Sequence, residues 1–374
     1  MTNAVLDRKK EKAFADKVIR KAVLRKRKPP GQRLLIYTAI SCAVALSSNL
    51  APFKFGQAAK QQVPPVSTSP PPIALTYPLD ELREKIALTA ALKDLRAGVF
   101  AADLKTGKFV DYNGHDEYAA ASMIKVPVYV SLLAALDRKE VALDQQLEIR
   151  QDLITGGSGW LQWRPVGTKI PLKDVAELMI IISDNTATNM IIDLLGGREK
   201  CNRDYVSWGL QKTRINNMLG DFEGTNKTSP YDMVYLLGRI DRGELISPES
   251  RKWMYQTMER TKIRTLLPPG LAPGSKILHK TGDIGTMVGD AGIITTPTGQ
   301  RYIVSMQVER PHNDRRANLL IRAMSKMVYR CFSVPSLTCP DAESVPLESL
   351  TGAPAHHTSH FHPRPRVHHH HHHH

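Results

Sequence analysis

Ser122-Met123-Ile124-Lys125, followed by Val126-Pro127-Val128-Tyr129-Val130-Ser131-Leu132-Leu133-Ala134-Ala135-Leu136, is the stretch on which the reading of this chain turns. The apolar spacing predicts a helix over about 123–137. With Ser122 at its start, the i to i+3 spacing puts the Lys125 amine on the same face as the Ser122 hydroxyl. A serine there also meets the helix-end field and backbone N–H groups suited to a developing oxyanion. Lysine acts as a base near neutral pH only when burial or a nearby cation depresses its pKa, and Lys280 is the candidate cation. Taken alone, the pattern S-x-x-K occurs roughly once by chance in a chain this long at average residue usage. A serine N-cap with a solvated lysine would explain it equally well.

Working outward, Leu79–Leu95 has helical apolar spacing, and VFAADL (99–104) and KFVDY (108–112) predict a β-hairpin around Lys105-Thr106-Gly107. Helical patterns follow at 172–196, 230–240 and 314–331, while AGIITT (291–296) and RYIVSMQV (301–308) read as late strands. Strands early and late around a helical middle predict an α+β domain over 79–333. Its single antiparallel sheet is assembled from both ends of the sequence, flanked by helices, with an all-helical part.

The remaining segments differ in composition. Residues 1–33 hold twelve Lys or Arg against Asp7, Glu11 and Asp16, +9 of the chain's formal +15. Clustered cations can bind nucleic acid, but the uncharged run 34–50 that follows them has a positive-inside flank and favours a membrane role. This run is expected to be an uncleaved anchor. Ala43-Val44-Ala45 resembles a cleavage site, so a signal peptide is the alternative, and either one exports the rest to the periplasm. Residues 51–78 read as a Pro-rich stalk, and 334–374 as a polar, His-rich tail whose seven final histidines look like a tag. Cys331 and Cys339 are spaced for a local disulfide or remain free thiols, and Cys201 reads as a lone core thiol.

His115, His279 and His312 are the only histidines before the tail, and none has a neighbour at metal-ligand spacing, so neither a catalytic zinc nor a cofactor is expected. No G-x-S-x-G elbow is present. Ser183-Asp184-Asn185 and Lys280-Thr281-Gly282 add hydroxyl, amide and cation, with Gly282 allowing a substrate backbone close to a strand. Lys105-Thr106-Gly107, which precedes Ser122 and lies between two short strands, reads as a hairpin turn.

The order S-x-x-K, S-D-N, K-T-G resembles the superfamily of penicillin-binding proteins and class A β-lactamases. The likeness extends over roughly 80–332 and includes Trp163-Arg164-Pro165-Val166, Asn185-Thr186-Ala187-Thr188-Asn189 and Thr228-Ser229-Pro230. It implies Ser122 as nucleophile, Lys125 as acylation base and Ser183 as proton relay. Asn185 would hold the substrate amide, Lys280 would stabilise charge and Thr281 would bind the substrate carboxylate. The N–H groups of Ser122 and Asp283 would form the oxyanion hole, and Trp163 would wall the cleft.

The E-x-x-L-N loop whose Glu activates water in class A β-lactamases is absent; Asn216–Asn226 occupies its place, with Leu219 at the expected Glu position. No arginine stands between Lys280 and Arg301 to bind a carboxylate. With Gly157-Ser158-Gly159-Trp160, Phe222-Glu223-Gly224-Thr225-Asn226 and His279–Gly285, the chain resembles the cyanobacterial penicillin-binding protein A group. The resemblance implies an exported D-Ala-D-Ala carboxypeptidase acting on peptidoglycan stem peptides and acylated by β-lactams. A β-lactamase using Asp221 or Glu223 is the alternative, and a non-catalytic envelope binding module the second.

Overall fold

The computed structural model describes residues 74–336 and Cys339. The basic arm, the run 34–50, most of the Pro-rich segment and the His-rich tail lie outside the described residues. No helix among the described residues is long and apolar enough to cross a membrane.

In chain order come β1 (Tyr77–Pro78), α1 (Asp80–Ala90), β2 (Arg96–Ala102), β3 (Lys108–Tyr112) and β4 (Tyr118–Ala119). A 3₁₀ turn, Ala121–Ile124, leads into α2 (Lys125–Asp137). Then follow β5 (Gln146–Glu148), β6 (Lys169–Pro171), α3 (Leu172–Ile181), α4 (Asn185–Leu194), α5 (Arg198–Ser207), β7 (Lys227–Thr228), α6 (Pro230–Asp241) and α7 (Pro248–Glu259). Strands β8 (Lys276–Asp283), β9 (Met287–Thr295) and β10 (Arg301–Glu309) precede the final α8 (Arg316–Phe332).

The main sheet has the order β1-β3-β2-β10-β9-β8, so early and late strands meet where β2 pairs with β10. All its pairs are antiparallel except the edge, where β1 runs parallel to β3 and makes the sheet mixed rather than purely antiparallel. Successive strand residues face opposite sides, and here both sides are buried. Val99, Ala101, Val304 and Met306 join Leu82, Ile86, Leu320 and Met324 of α1 and α8 in one core. Phe100, Ala102, Ile293 and Ile303 join α2, α3 and α6 in the other.

Helix α2 has eleven of its thirteen residues buried, which its apolar composition on every side permits. The 172–196 pattern is two helices, because Ser183 adopts φ +62° and Asp184 caps α4 by accepting the Ala187 N–H at 2.9 Å. Lys105-Thr106-Gly107 is the β2–β3 turn. Asp103 Oδ1 accepts the N–H groups of Lys105 (2.8 Å) and Thr106 (3.2 Å), and Gly107 sits at φ +75°. Cys331 and Cys339 form a disulfide. Beside it, buried Lys108 donates to the carbonyls of Cys331, Val334 and Ser336, satisfying the end of α8.

Candidate active site

Three elements from distant parts of the chain converge on Ser122: its own 3₁₀ turn, the Ser183 turn between α3 and α4, and β8. Lys125 begins α2 one turn after Ser122, fully buried, with Nζ 2.8 Å from Ser122 Oγ. The same nitrogen lies 2.7 Å from Asn185 Oδ1 and 3.1 and 3.2 Å from the carbonyl and hydroxyl oxygens of Ser183. Burial, then the neighbouring Lys280 charge, push Lys125 well below an ordinary lysine, with Asp184 opposing. A neutral amine can donate to Asn185 Oδ1 and the Ser183 carbonyl while its lone pair accepts the Ser122 hydroxyl proton. That is the hydrogen-bond pattern of a general base on a nucleophile.

Ser183 Oγ lies between the two lysines, since Lys280 Nζ donates to it at 3.0 Å and to the Thr281 carbonyl at 2.8 Å. Lys280 is fully buried, and burial brings it down to about 7, with Asp290 opposing. The hydroxyl thus connects base and cation. Both turns that present the serines are strained, with Ala121 at φ +43° and Ser183 at +62°, conformations that cost of order 1–3 kcal/mol each and gather at functional sites. Gly282 permits a close approach different from the one expected. A Cβ there would lie 3.1 Å from Ala120 O and Ala121 Cβ, so the glycine lets β8 press against the Ser122 turn itself.

A cleft of about 190 Å³ opens over Ser122, lined by Ala121, Gly157, Ser158, Asn185, Asp283 and Ile284 and by the Leu219–Phe222 loop. Thr281 is buried on β8, and Asp283 ends that strand at the cleft. Trp163 is 78% exposed on a 3₁₀ turn and is not among the lining residues; the aromatic wall here is Phe222. The expectation for Trp163 therefore fails in this structure, because the 155–163 loop turns Gly157 and Ser158 inward instead. Asp184 holds that loop by accepting the N–H groups of Trp160 (2.8 Å) and Leu161 (2.9 Å) as well as that of Ala187.

The short loop in the place of E-x-x-L-N is pinned at its backbone. The Leu219 N–H donates to Asn189 Oδ1 (2.8 Å) and the Gly220 N–H to Thr155 Oγ1 (2.9 Å). Asp221 spends both carboxylate oxygens on Thr225 N–H, Thr225 Oγ1 and Asn226 N–H, at 2.7 to 3.0 Å. Glu223 is exposed. A guanidinium does reach the β8 end of the cleft, supplied by Arg310, buried and bound to Asp283 Oδ1 (2.6 Å) and the Gly285 carbonyl (2.8 Å). Sequence reasoning missed Arg310 because it lies beyond two intervening strands, β9 and β10. It missed the work of Asp184 because an acid flanked by Ser and Asn reads as a cap.

The model of the beta-lactamase enzyme family matches residues 81–332. The chain belongs to that family. It is 27% identical to a β-lactamase of Bacteroides uniformis over 277 residues, 67% of this chain and 91% of the relative. A β-lactamase of Streptomyces fradiae is likewise 27% identical, over 63% of this chain and 81% of its own length. The solved structure of PBP-A is 46% identical with a TM-score of 0.68, covering 68% of this chain and 97% of that one. A Leu-to-Glu mutant of PBP-A, solved as an acyl-enzyme complex with penicillin G, matches equally. The β-lactamase of Sphaerobacter thermophilus is 26% identical with a TM-score of 0.62, covering 69% and 99%. This family member is a serine hydrolase of the β-lactamase and penicillin-binding protein type, on the α+β fold expected from its strand order.

Proposed function

We propose that the protein is an exported D-Ala-D-Ala carboxypeptidase-type penicillin-binding protein that acts on peptidoglycan stem peptides. In this reading Ser122 Oγ attacks the carbonyl of the scissile D-Ala-D-Ala bond as its proton passes to Lys125 Nζ. The proton then travels through the Ser183 hydroxyl to the leaving nitrogen, and the terminal D-alanine departs. Lys280 offsets charge developing beside Ser183, Asn185 and Thr281 hold the substrate, and the Ser122 and Asp283 N–H groups receive the oxyanion.

One observation carries the choice of peptidase over β-lactamase. Of the carboxylates nearest the cleft, Asp221 is engaged by its own loop and Asp283 by Arg310, while Leu219 lines the wall where a water-activating acid is expected. Without a positioned base for water, a bulky penicilloyl ester should persist. The Leu-to-Glu mutant of PBP-A, captured as an acyl-enzyme with penicillin G, supports acylation of such a site by a β-lactam. The β-lactamase reading draws on the named relatives at 27% identity.

Labelling with a fluorescent penicillin tests the proposal. The expected result is a long-lived adduct on Ser122, with hydrolysis of a D-Ala-D-Ala thioester mimic. Rapid turnover with full recovery of enzyme would assign it to the β-lactamases, and no acylation or thioester hydrolysis at all would leave a binding module. Residues 34–50 are proposed to hold the catalytic domain in the periplasm, after a basic arm 1–33. Membrane fractionation of a chain lacking 34–50 checks this: the deleted protein is expected in the soluble fraction.

A further inference from the structure

Behind Lys280 lies an ionisable pair that the acyl transfer above does not use. His279 precedes Lys280 on β8, so its ring falls on the opposite face of the sheet. Asp290, across from Thr281 in the β8–β9 register, lies on that same rear face with Val288 and Ile294. Both side chains have no exposed area, and His279 Nδ1 stands 2.9 and 3.0 Å from the two Asp290 oxygens. Gly292 makes room for the ring, since a Cβ there would meet His279 Cβ at 2.7 Å.

The contacts indicate which protons are present. Asp290 Oδ2 also accepts the Leu267 N–H at 3.1 Å, so the carboxylate receives two donors, as an ionised group does. The ring must then carry its hydrogen on Nδ1. Its Nε2 is buried with no hydrogen-bond partner among the described residues. A charged N–H left there without an acceptor costs more than a bare lone pair, so the ring is neutral and the pair carries one negative charge. A buried charge needs a counter-ion, and Asp290 adjoins Ala291, the register partner of Lys280, so that its charge opposes the effect of burial on that lysine. On the cleft side stand Lys125 and Asp184 and, at the end of β8, Asp283 paired with Arg310, with Asp221 on the facing loop. The buried residues of α1, α7 and α8 add no titrating group, and Tyr302 on β10 is held neutral by burial.

We propose that His279 and Asp290 are positioning residues for acyl transfer: the ring fixes the Asp290 carboxylate as a buried negative charge behind the sheet, where it is the counter-ion of Lys280 facing the cleft. This rests on the reading of Ser122 as the acylated nucleophile.

Asp290→Asn keeps the shape and removes the charge. The measurement is the pH profile of the second-order rate of acylation by fluorescent penicillin, with thermal unfolding as the check on folding. The alkaline limb, which follows Lys280, is expected to move toward acid by about one pH unit, the low end for a lost opposite charge. Acylation on the alkaline side of the limb then falls about tenfold against the wild type and at pH 7 several-fold, while the rate on its acid side changes little. His279→Asn retains an amide N–H near the place of Nδ1 and should keep the wild-type profile, whereas His279→Leu should shift it as Asp290→Asn does. An unshifted limb in folded Asp290→Asn, or in His279→Leu should the former not fold, overturns the proposal. The wild type offers an independent measurement: ¹⁵N NMR of the ring under the conditions of the acylation assay should show the Nδ1–H tautomer, and an imidazolium overturns it. A wild type that is never labelled at any pH shows instead that the acyl-enzyme reading itself has failed.

Discussion

Leu219→Glu is the perturbation that separates the two half-reactions. The residue is 6% exposed and lines the cleft with Ser122 and Asn185, and its backbone and that of Gly220 are fixed by Asn189 and Thr155. A carboxylate introduced there therefore starts from a defined position. A well-placed general base contributes roughly 10²–10⁴-fold, but this loop was not shaped to aim a water, so the expected gain in deacylation is about 10- to 100-fold. Acylation should change by less, since Lys125 already serves that step. Replacing a buried leucine loses about 2 kcal/mol of apolar burial, and at roughly 2–4 °C per kcal/mol for a domain of this size the melting temperature should drop about 4–8 °C. Single-turnover stopped-flow with penicillin gives acylation, and decay of the isolated adduct gives deacylation. Met218→Glu and Gly220→Glu test the neighbouring positions, the second under a handicap because any Cβ at Gly220 meets the Phe222 ring at 2.8 Å. If none of the three accelerates adduct decay beyond acylation, the missing-base argument is wrong. It is equally wrong if the unaltered enzyme deacylates fast and Glu223→Gln or Asp221→Asn abolishes that step.

Ser122→Ala should eliminate covalent labelling and thioester hydrolysis together, as read by gel fluorescence and mass spectrometry; residual adduct would place the nucleophile elsewhere. Lys280→Ala should slow acylation by about 10²–10⁴-fold while Lys105→Ala in its hairpin turn leaves it unchanged, and equal losses would mean that the wrong K-T-G was chosen. The same Lys280→Ala change removes the cation that helps depress Lys125, so the acid limb of the acylation profile, where Lys125 must lose its proton, should move to higher pH. Asp184→Ala leaves three backbone N–H groups without their acceptor, at about 1–3 kcal/mol for each one that stays buried and unpaired. Both melting temperature and acylation rate should fall, and a loss of activity with unchanged melting would point to a direct role instead.

The nature of the chemistry was legible in the sequence because its essential pair is local. Ser122 and Lys125 are one helical turn apart, and any helix beginning there brings hydroxyl and amine together, as the 2.8 Å contact shows. The hairpin fate of Lys105-Thr106-Gly107 was local too; the meeting of early and late strands is long-range, and was legible only because their apolar runs need a shared sheet to be buried on both faces. What the tertiary structure alone decided depends on groups far apart in sequence. It split the 172–196 helix at a strained Ser183 so that one hydroxyl lies between Lys125 and Lys280. It turned Trp163 outward and Phe222 into the wall, brought Arg310 onto Asp283, and closed His279 on Asp290 across two strands. No periodicity encodes such contacts, because burial and long-range pairing, rather than the spacing of residues along the chain, set how far each buried lysine is depressed.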